Sequence, residues 1–339
     1  METGKAVFDK EREEQKLDSL SKICHGKFNE RAVRELFSQI MSISRKYQYS
    51  ILAEHGRSAK LGFEQLDRLP VEGVRVVHQG VEGAYSHAAA IQYFGRNAEI
   101  YHVARFEDAM KEVQLGNADY AVMPIENSSA GAVIDMYDLL TRYDNYIVAE
   151  TFLPVNHALL GVPGARLSDV KTVFSHPQAL MQCSVFLNDN GLKQISVENT
   201  AVAAKRVVKE GDKSQAAIAS EIAGQLYGLE LLKPSIQNNQ GNTTRFVILA
   251  NRKVYQKAAG KISLCFELPH TSGSLYNMLG NFIFNHVNMI MIESRPIPGK
   301  NWEYRFFVDI EGNLQDAGVQ NALRGIGTEA QNFKILGNY

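Results

Sequence analysis

The 339-residue chain has few cysteines, a single tryptophan and almost no net charge. Its three cysteines, Cys24, Cys183 and Cys265, are too few and too scattered for a disulfide framework or a zinc site, which favours a reducing compartment. The nine histidines show no metal-site spacing, so we expect no metal. With 36 basic and 37 acidic side chains, nothing favours nucleic acid or an anionic membrane as a partner.

The chain also lacks a long apolar segment. No apolar run approaches the roughly 18 residues that span a bilayer, and the N-terminal stretch is too charged for a secretory signal. We therefore expect a cytoplasmic protein. A hydrophobic content of 45% suffices for packed cores, and the length predicts two or three domains.

Residues 1–55 are predicted to be helical. Asp9 precedes an acidic turn, as is typical of a helix N-terminus. A second helix is predicted to begin near Asn29. Its predicted buried face follows the helical spacing i, i+3, i+4, i+7, i+8 and comprises Val33, Leu36, Phe37, Ile40 and Met41. Ser44 and Gln48 continue that face, and they either have polar partners there or lie at an exposed helix end.

Strands and helices alternate after a predicted linker at 56–73, which indicates α/β layers with ligand loops at the strand ends. We assign a first lobe to about 74–150 and 230–250, and a second to about 151–229, with a cleft between them. A turn containing Gly80 and Gly83 separates a strand from a helix, so its free N–H groups are predicted to face an anion.

A polar loop at 238–244 leads directly into an apolar strand. Its hydroxyls and amides, with the fork of donors on Arg245, could bind a carboxylate. A surface turn entering an edge strand is the alternative.

Residues 261–339 show the order strand, helix, strand, strand, helix, strand, which is the ferredoxin-like layout.

Five stretches in order resemble the prephenate dehydratase family over residues 74–250. They are Gly80-x-x-Gly83-Ala-Tyr-Ser86, Pro124-Ile-Glu126-Asn127-Ser128-x-x-Gly131, His157-x-Leu-Leu160, Ser175-His-Pro-Gln-Ala-Leu-x-Gln182-Cys183 and Asn242-x-Thr244-Arg245-Phe246. The resemblance implies a fold like that of two-lobed, type II periplasmic binding proteins. It also implies conversion of prephenate to phenylpyruvate, water and carbon dioxide in phenylalanine biosynthesis. Because that reaction makes the ring aromatic, it requires no cofactor.

The resemblance also implies roles for individual residues. Thr244 would contact the leaving hydroxyl, and a desolvated, protonated Glu126 would supply the proton. Arg245 and Asn127 would anchor a carboxylate, while Ser175 and Gln182 would orient the substrate. The remaining predicted substrate contacts are Gly83, Ser86, Ser128 and Phe246. The alternatives are a helix cap for Ser175, a surface position for Gln182 and a core position for Phe246.

Two C-terminal stretches resemble the phenylalanine-binding signatures of the ACT domain. They comprise Gly273, Ser274 and Leu275, and Glu293, Ser294, Arg295 and Pro296 after Ile292. The family usually has alanine where Ser274 stands. The resemblance implies feedback by phenylalanine in a homodimer or homotetramer. Glu293, Ser294 and Arg295 could instead be buried groups that satisfy a turn.

The N-terminal segment resembles the AroQ-type chorismate mutase family through residues 4–13 and Ser44-x-x-x-Gln48. The implied site positions are Asp9, Arg12, Glu13, Ser44 and Gln48. The family's cationic first helix would lie before Met1, so we expect no mutase activity from this segment alone. Two further functions stay open for the whole chain: an arogenate dehydratase, and a non-catalytic sensor of amino acids or carboxylates.

Overall fold

The computed structural model describes residues 7, 9–54 and 61–339. Two compact units make up the chain, one from 1–67 with 255–339 and the other from 68–254. Within the described residues the helices are α1 (Lys10–Ser21), α2 (Lys27–Glu54), α3 (Tyr85–Phe94), α4 (Phe106–Gln114), α5 (Ile134–Arg142), α6 (Pro177–Gln182), α7 (Ser184–Asp189), α8 (Thr200–Glu210), α9 (Glu221–Tyr227), α10 (Ser274–Ile283) and α11 (Ala317–Glu329).

The strands of the same residues are β1 (Glu64–Leu66), β2 (Arg75–Gln79), β3 (Glu99–Val103), β4 (Tyr120–Asn127), β5 (Gly131–Ala132), β6 (Tyr146–Pro154), β7 (Ala158–Gly161), β8 (Thr172–Ser175), β9 (Lys193–Ser196), β10 (Gln215–Ala219), β11 (Glu230–Lys233), β12 (Thr243–Ala250), β13 (Val254–Gln256), β14 (Lys261–Glu267), β15 (Met289–Pro296), β16 (Tyr304–Glu311) and β17 (Gln331–Asn338).

The larger unit contains two sheets. In the first, β2 pairs in parallel with β3 and β4, and β12 runs antiparallel between β4 and β6. Its central strands are apolar on both faces, because helices cover the sheet, and Val77, Val122 and Ile248 are fully buried. The chain leaves this sheet at the end of β6 and returns to it at the start of β12, and these two strands are neighbours in the sheet.

The second sheet has the order β11-β7-β10-β8-β9. Separate apolar clusters cover its two faces, one around Phe174 and Ala204 and the other around Leu159 and Leu180. The predicted return to the first lobe at residue 230 is wrong, because β11 pairs with β7. The chain rejoins the first sheet only after Lys233.

The smaller unit includes a four-stranded antiparallel sheet of order β15-β16-β14-β17. Its elements follow the chain order β14-α10-β15-β16-α11-β17. Phe266, Phe282, Val308 and Leu323 fill the core between this sheet and the two helices. Each strand and helix predicted from residue 261 onward overlaps an observed one.

The N-terminal helices belong to the smaller unit as well. The helix N-terminus predicted at Asp9 is confirmed, and Asp9 caps α1 by accepting a hydrogen bond from the Arg12 N–H at 3.1 Å. Helix α2 packs against α1 and α11. The predicted burial of Leu36 and Ile40 is wrong for this chain, since they are 58% and 48% exposed on a side of α2 that these helices leave uncovered.

The predicted linker at 56–73 contains the short strand β1, while its residues 56–60 lie outside the described part. Residues 1–6 and 8 of the mutase-like segment also lie outside it. Of the helices in the described ranges, none is long and apolar enough to cross a membrane.

Candidate active site

Thr244 lies at the start of β12, directly opposite Asn127 at the end of β4. The amide nitrogen Nδ2 of Asn127 donates hydrogen bonds to Thr244 Oγ1 at 2.9 Å and to Asn242 Oδ1 at 2.8 Å. The amide oxygen of Asn127 accepts the backbone N–H groups of Ser129 and Ala130, both at 3.0 Å. Antiparallel pairing thus brings together groups 115 or more residues apart.

This geometry determines which of the two groups donates in the hydrogen bond between Asn127 and Thr244. Asn127 Nδ2 can only donate, so Thr244 Oγ1 must accept that bond and keeps its own O–H for another acceptor. Asn127 itself has both N–H groups and its oxygen engaged. A predicted carboxylate anchor is therefore positioned as a support for Thr244.

Arg245 and Glu126 form the next opposed pair along the same strands. Since adjacent residues of a strand point to opposite faces, this pair lies on the face away from Thr244 and Asn127. Arg245 donates from Nε to Glu150 Oε2 at 2.7 Å, and its Nη1 lies 3.8 Å from Glu126 Oε2. The side chain of Glu126 is 45% exposed, so the desolvation predicted for it is not found. The structure does not bring the predicted acid to Thr244.

Free N–H groups were predicted in the glycine turn before α3, but at three of its positions the N–H group already has a hydrogen-bond partner. Gly83 N–H donates to His87 Nδ1 at 3.1 Å, Gly80 N–H to the Val103 carbonyl and Ala84 N–H to the Val81 carbonyl. The prediction that the Gly83 amide binds an anion is therefore wrong, because this N–H group donates to His87 within the protein. The neutral imidazole that this bond needs is favoured because burial lowers the pKa of His87.

The same turn, which belongs to the first lobe, contacts α9, which packs beside the second sheet. Gly83 has φ +83°, and a Cβ there would lie 3.2 Å from Ala223. Ser220 Oγ donates to the Gly83 carbonyl at 3.2 Å, and the Tyr227 hydroxyl donates to the Glu82 carbonyl. Ser86, predicted to bind substrate, is buried in the first turn of α3.

A second polar group spans the two sheets through His157. Its Nδ1 lies 3.0 Å from the Tyr85 hydroxyl, and its Nε2 lies 2.9 Å from Gln182 Oε1. Burial lowers the pKa of His157, with the Gln182 hydrogen bond opposing that shift, and burial raises the pKa of Tyr85. Gln182 is thus held by an imidazole, while Tyr85 and His157 were missed as site residues although both lie in stretches that carry the resemblance.

Three other predicted residues have structural partners. Ser175 Oγ donates to the Ile218 carbonyl at 2.7 Å, which ties β8 to β10, and the cap of α6 is His176 instead. Ser128 Oγ accepts the Thr243 N–H at 2.9 Å and lies 3.3 Å from the Gly241 carbonyl. Phe246 is fully buried, so the predicted substrate contact is wrong and the alternative core position is correct.

In the smaller unit, Gly273 caps α10 in the left-handed conformation, and Ser274 Oγ donates to the Thr271 carbonyl at 2.9 Å. Leu275 packs against the core of this unit. The second predicted signature, from Glu293 to Pro296, lies on β15, where Glu293 and Arg295 are less exposed than Ser294 and Pro296.

Of the mutase-like residues, Glu13 is linked to α11 through Arg45. Arg45 on α2 forms ion pairs with Glu13 of α1 and, at 3.3 Å, with Glu329 of α11. Gln48 Nε2 donates to Ser44 Oγ at 3.1 Å. In the described residues no cluster of three or more histidine, cysteine, aspartate or glutamate side chains could hold a metal.

Two sheets joined by neighbouring strands, with hydroxyl and amide groups where those strands end, define an α/β protein with a polar site at the junction. The family model for prephenate dehydratase matches residues 76–254, and the chain belongs to the prephenate dehydratase family. The family model for chorismate mutase type II matches residues 1–49.

Individual relatives agree with this family. The bifunctional chorismate mutase/prephenate dehydratase of Escherichia coli (strain K12) is 36% identical over 341 residues, covering 98% of this chain and 85% of that protein. Arogenate dehydratase/prephenate dehydratase 1, chloroplastic, of Arabidopsis thaliana is 41% identical over 282 residues, covering 78% and 72%. The crystal structure of prephenate dehydratase in complex with L-Phe from Arthrobacter aurescens has a TM-score of 0.73 at 28% identity, covering 78% of this chain and 89% of that one.

Proposed function

We propose that the chain converts prephenate to phenylpyruvate, water and carbon dioxide. The observation that carries the proposal is the Thr244 hydroxyl, which accepts from Asn127 and keeps its own hydrogen for another acceptor. Family membership supplies the substrate class. The fold that goes with this function is a two-lobed arrangement like that of type II periplasmic binding proteins, with the site between the lobes.

The chemistry asks for little beyond binding and hydrogen bonding. The bond between the ring and its carboxylate breaks, its electron pair enters the ring, and the ring's C–O bond breaks to release hydroxide. Aromatisation drives both steps, and one proton converts the hydroxide to water. A donor aimed at the departing oxygen stabilises the charge as it develops.

The residues divide into a donor and its supports. Thr244 donates to the leaving oxygen, and Asn127 directs that hydroxyl. Arg245 is held by Glu150, so in this proposal it stabilises the strand ends beneath the site. Glu126 stays the predicted proton source only if its carboxyl reaches the substrate when the site is occupied, and a Glu126→Gln variant with unchanged rate and pH profile would exclude it.

The deciding experiment incubates the pure chain separately with prephenate, arogenate and chorismate and follows the aromatic product of the first two and prephenate formation from the third. Phenylpyruvate from prephenate supports the proposal, and no turnover of either cyclohexadiene favours the sensor function. Phenylalanine from arogenate supports the second candidate, an arogenate dehydratase, which is one of the two activities in the plant relative's name. Prephenate formed from chorismate would overturn the expectation that the N-terminal segment is inactive as a mutase.

Regulation by phenylalanine is part of the proposal. The βαββαβ elements of the smaller unit fit a ferredoxin-like ACT domain, and a relative with matching structure was solved with L-Phe. The ligand contacts proposed are the N-terminal turn of α10 and residues 293–296 of β15. Phenylalanine should lower dehydratase activity in the pure protein, and an activity that ignores phenylalanine would contradict this part alone.

A homodimer or homotetramer accompanies this regulation. Ile290 and Ile292 on β15 are 43% and 45% exposed in the single chain, and Leu36 and Tyr47 on α2 are also exposed. Burial of such side chains against a second copy would remove apolar area from water. Light scattering of the pure protein gives the number of chains.

A further inference from the structure

The amide nitrogen Nδ2 of Asn242 is a buried donor with no hydrogen-bond partner in the described structure. Asn242 is 2% exposed and lies two residues before Thr244. Leaving a buried polar group without a hydrogen-bond partner destabilises the fold, so such groups are uncommon away from sites that water or a ligand completes.

The orientation of this amide follows from its neighbours. Asn127 Oδ1 accepts two backbone N–H groups, which fixes Asn127 Nδ2 as the atom facing Asn242. The atom of Asn242 at 2.8 Å from that nitrogen must then be its oxygen. Flipping the Asn242 amide would place two donors against each other, so its N–H group points away from Asn127.

The unpaired donor belongs to the same cluster as the Thr244 hydroxyl. Thr244 Oγ1 and Asn242 Oδ1 both lie within 2.9 Å of Asn127 Nδ2. Asn127 thereby positions two donors at once. The Thr244 hydroxyl and the Asn242 amide oxygen each accept one hydrogen from Asn127, and the Thr244 O–H and the Asn242 N–H remain as donors. The Asn242 backbone is held separately, because its carbonyl accepts the Val155 N–H at 2.8 Å.

We infer that Asn242 is a catalytic residue whose Nδ2 donates, beside the Thr244 hydroxyl, to the oxygen that leaves the substrate ring. This inference rests on the proposed dehydratase function. As the C–O bond breaks, the oxygen keeps the bonding electron pair and accepts both hydrogen bonds before it takes up a proton to become water. Two fixed donors at a developing charge stabilise the transition state more than the bound substrate.

The first test is Asn242→Ala, with Asn239→Ala in the exposed part of the same loop as a control. Loss of one such donor lowers kcat by about 10²-fold with KM changed by less than about 3-fold. A raised KM with unaltered kcat would overturn the inference, because it would place Asn242 on a group bound equally in substrate and transition state. Circular dichroism and thermal unfolding verify that each variant is folded.

The second test separates the donor from the acceptor of the same side chain. Asn242→Asp keeps the oxygen that accepts from Asn127 but replaces the N–H donor with an oxygen, which donates only when protonated. Activity of this variant relative to wild type should rise as the pH falls from about 8 to about 5, the range in which a buried carboxyl gains its proton. Asn239→Asp adds the same charge to the loop at an exposed position, and its relative activity should stay flat.

The outcomes distinguish this inference from the function on which it rests. Wild-type protein that turns over no prephenate refutes the proposed function. Wild-type turnover together with an Asn242→Asp variant that behaves like Asn239→Asp refutes only the donor role. A double variant combines Asn242→Ala with Thr244→Ala. If both residues donate to one oxygen, its loss of kcat should differ from the product of the two single losses, whereas a loss equal to that product would contradict the shared acceptor.

Discussion

At Thr244, the hydroxyl oxygen accepts a hydrogen bond from Asn127, which leaves the hydroxyl hydrogen to be donated to another acceptor. Thr244→Ala should lower kcat by about 10²-fold or more with little change in KM, since the lost bond forms in the transition state. Thr244→Ser keeps the hydroxyl and should retain most of the rate. The two variants are compared by steady-state kinetics with prephenate, and near-normal turnover by Thr244→Ala would remove this residue from the mechanism.

His78 gives a prediction about pH and stability. It is 1% exposed, stacks on His87 at 5.1 Å, and burial lowers its pKa from 6.5 to about 4. The imidazole of His78 binds a proton more readily in the unfolded chain than in the folded one. The free energy of unfolding is therefore unaffected by this group above pH 6.5 and falls as the pH drops toward 4. His78→Asn should flatten that fall by up to about 3 kcal/mol.

The measurement for His78 is the free energy of unfolding in urea at pH 7, 5.5 and 4.5 for wild type and variant. The variant loses packing at every pH, so the pH dependence is compared and not the absolute value. Equal slopes in the two proteins would show that His78 is not the group responsible.

At the residue scale, the sequence offered candidate site residues but not the hydrogen-bond partners that those residues have in the folded chain. The helix N-terminus at Asp9 was predicted from local chemistry and is confirmed. The engagement of the Gly83 amide by His87 and the shared hydrogen bonds of Asn127 depend on folded geometry. The unpaired donor on Asn242 became visible only once β4 and β12 lay side by side.

The pairing of the strands explains which site residues lie opposite each other. The opposition of Thr244 to Asn127 and of Arg245 to Glu126 follows from antiparallel register, and strand alternation alone could have separated the two faces. The apolar content of 246–250 predicted the buried strand, but not that its neighbours would be β4 and β6. Strand β11 was misplaced because four residues with a mixed pattern carry too little information about which sheet they join.

The glycine turn provides a prediction at this scale. Gly83→Ala introduces both an unfavourable positive φ and a Cβ 3.2 Å from Ala223. We expect a stability loss of about 2–4 kcal/mol and at least about 10-fold lower kcat/KM, because the turn docks on α9 across the site. Gly211→Ala is the matched control, since Gly211 has φ +65° with no atom within 4 Å of a Cβ, and it should cost only about 1 kcal/mol. Urea unfolding and kinetics report both quantities, and equal losses would mean that the contact with Ala223 is unimportant.

At the scale of the whole molecule, the N-terminal helices and the βαββαβ elements fold into one compact unit. Arg45 pairs with carboxylates of both parts and is 15% exposed, whereas Arg34 pairs with Glu14 and Asp18 at the surface. Arg45→Gln should therefore destabilise this unit by about 2 kcal/mol, and Arg34→Gln by less than about 1 kcal/mol.

Hydrogen exchange of the backbone amides in α2 measures that difference locally. Faster exchange in Arg45→Gln than in Arg34→Gln is the expected result. Equal exchange in the two variants would show that the pair between Arg45 and Glu329 does not hold α2 against α11.

The hydrogen bond between the Val155 N–H and the Asn242 carbonyl joins the two chain segments that connect the sheets. A rotation of the second sheet away from the first would have to bend both segments at this bond. Asn242 and Thr244 lie beside this bond and are both held by Asn127 of the first sheet, so the donors would keep their direction while the angle between the sheets changed. Closing of the second sheet over a substrate would then bring the leaving oxygen to donors that are already aimed, and slowing that motion would slow turnover without altering any group that touches the ring.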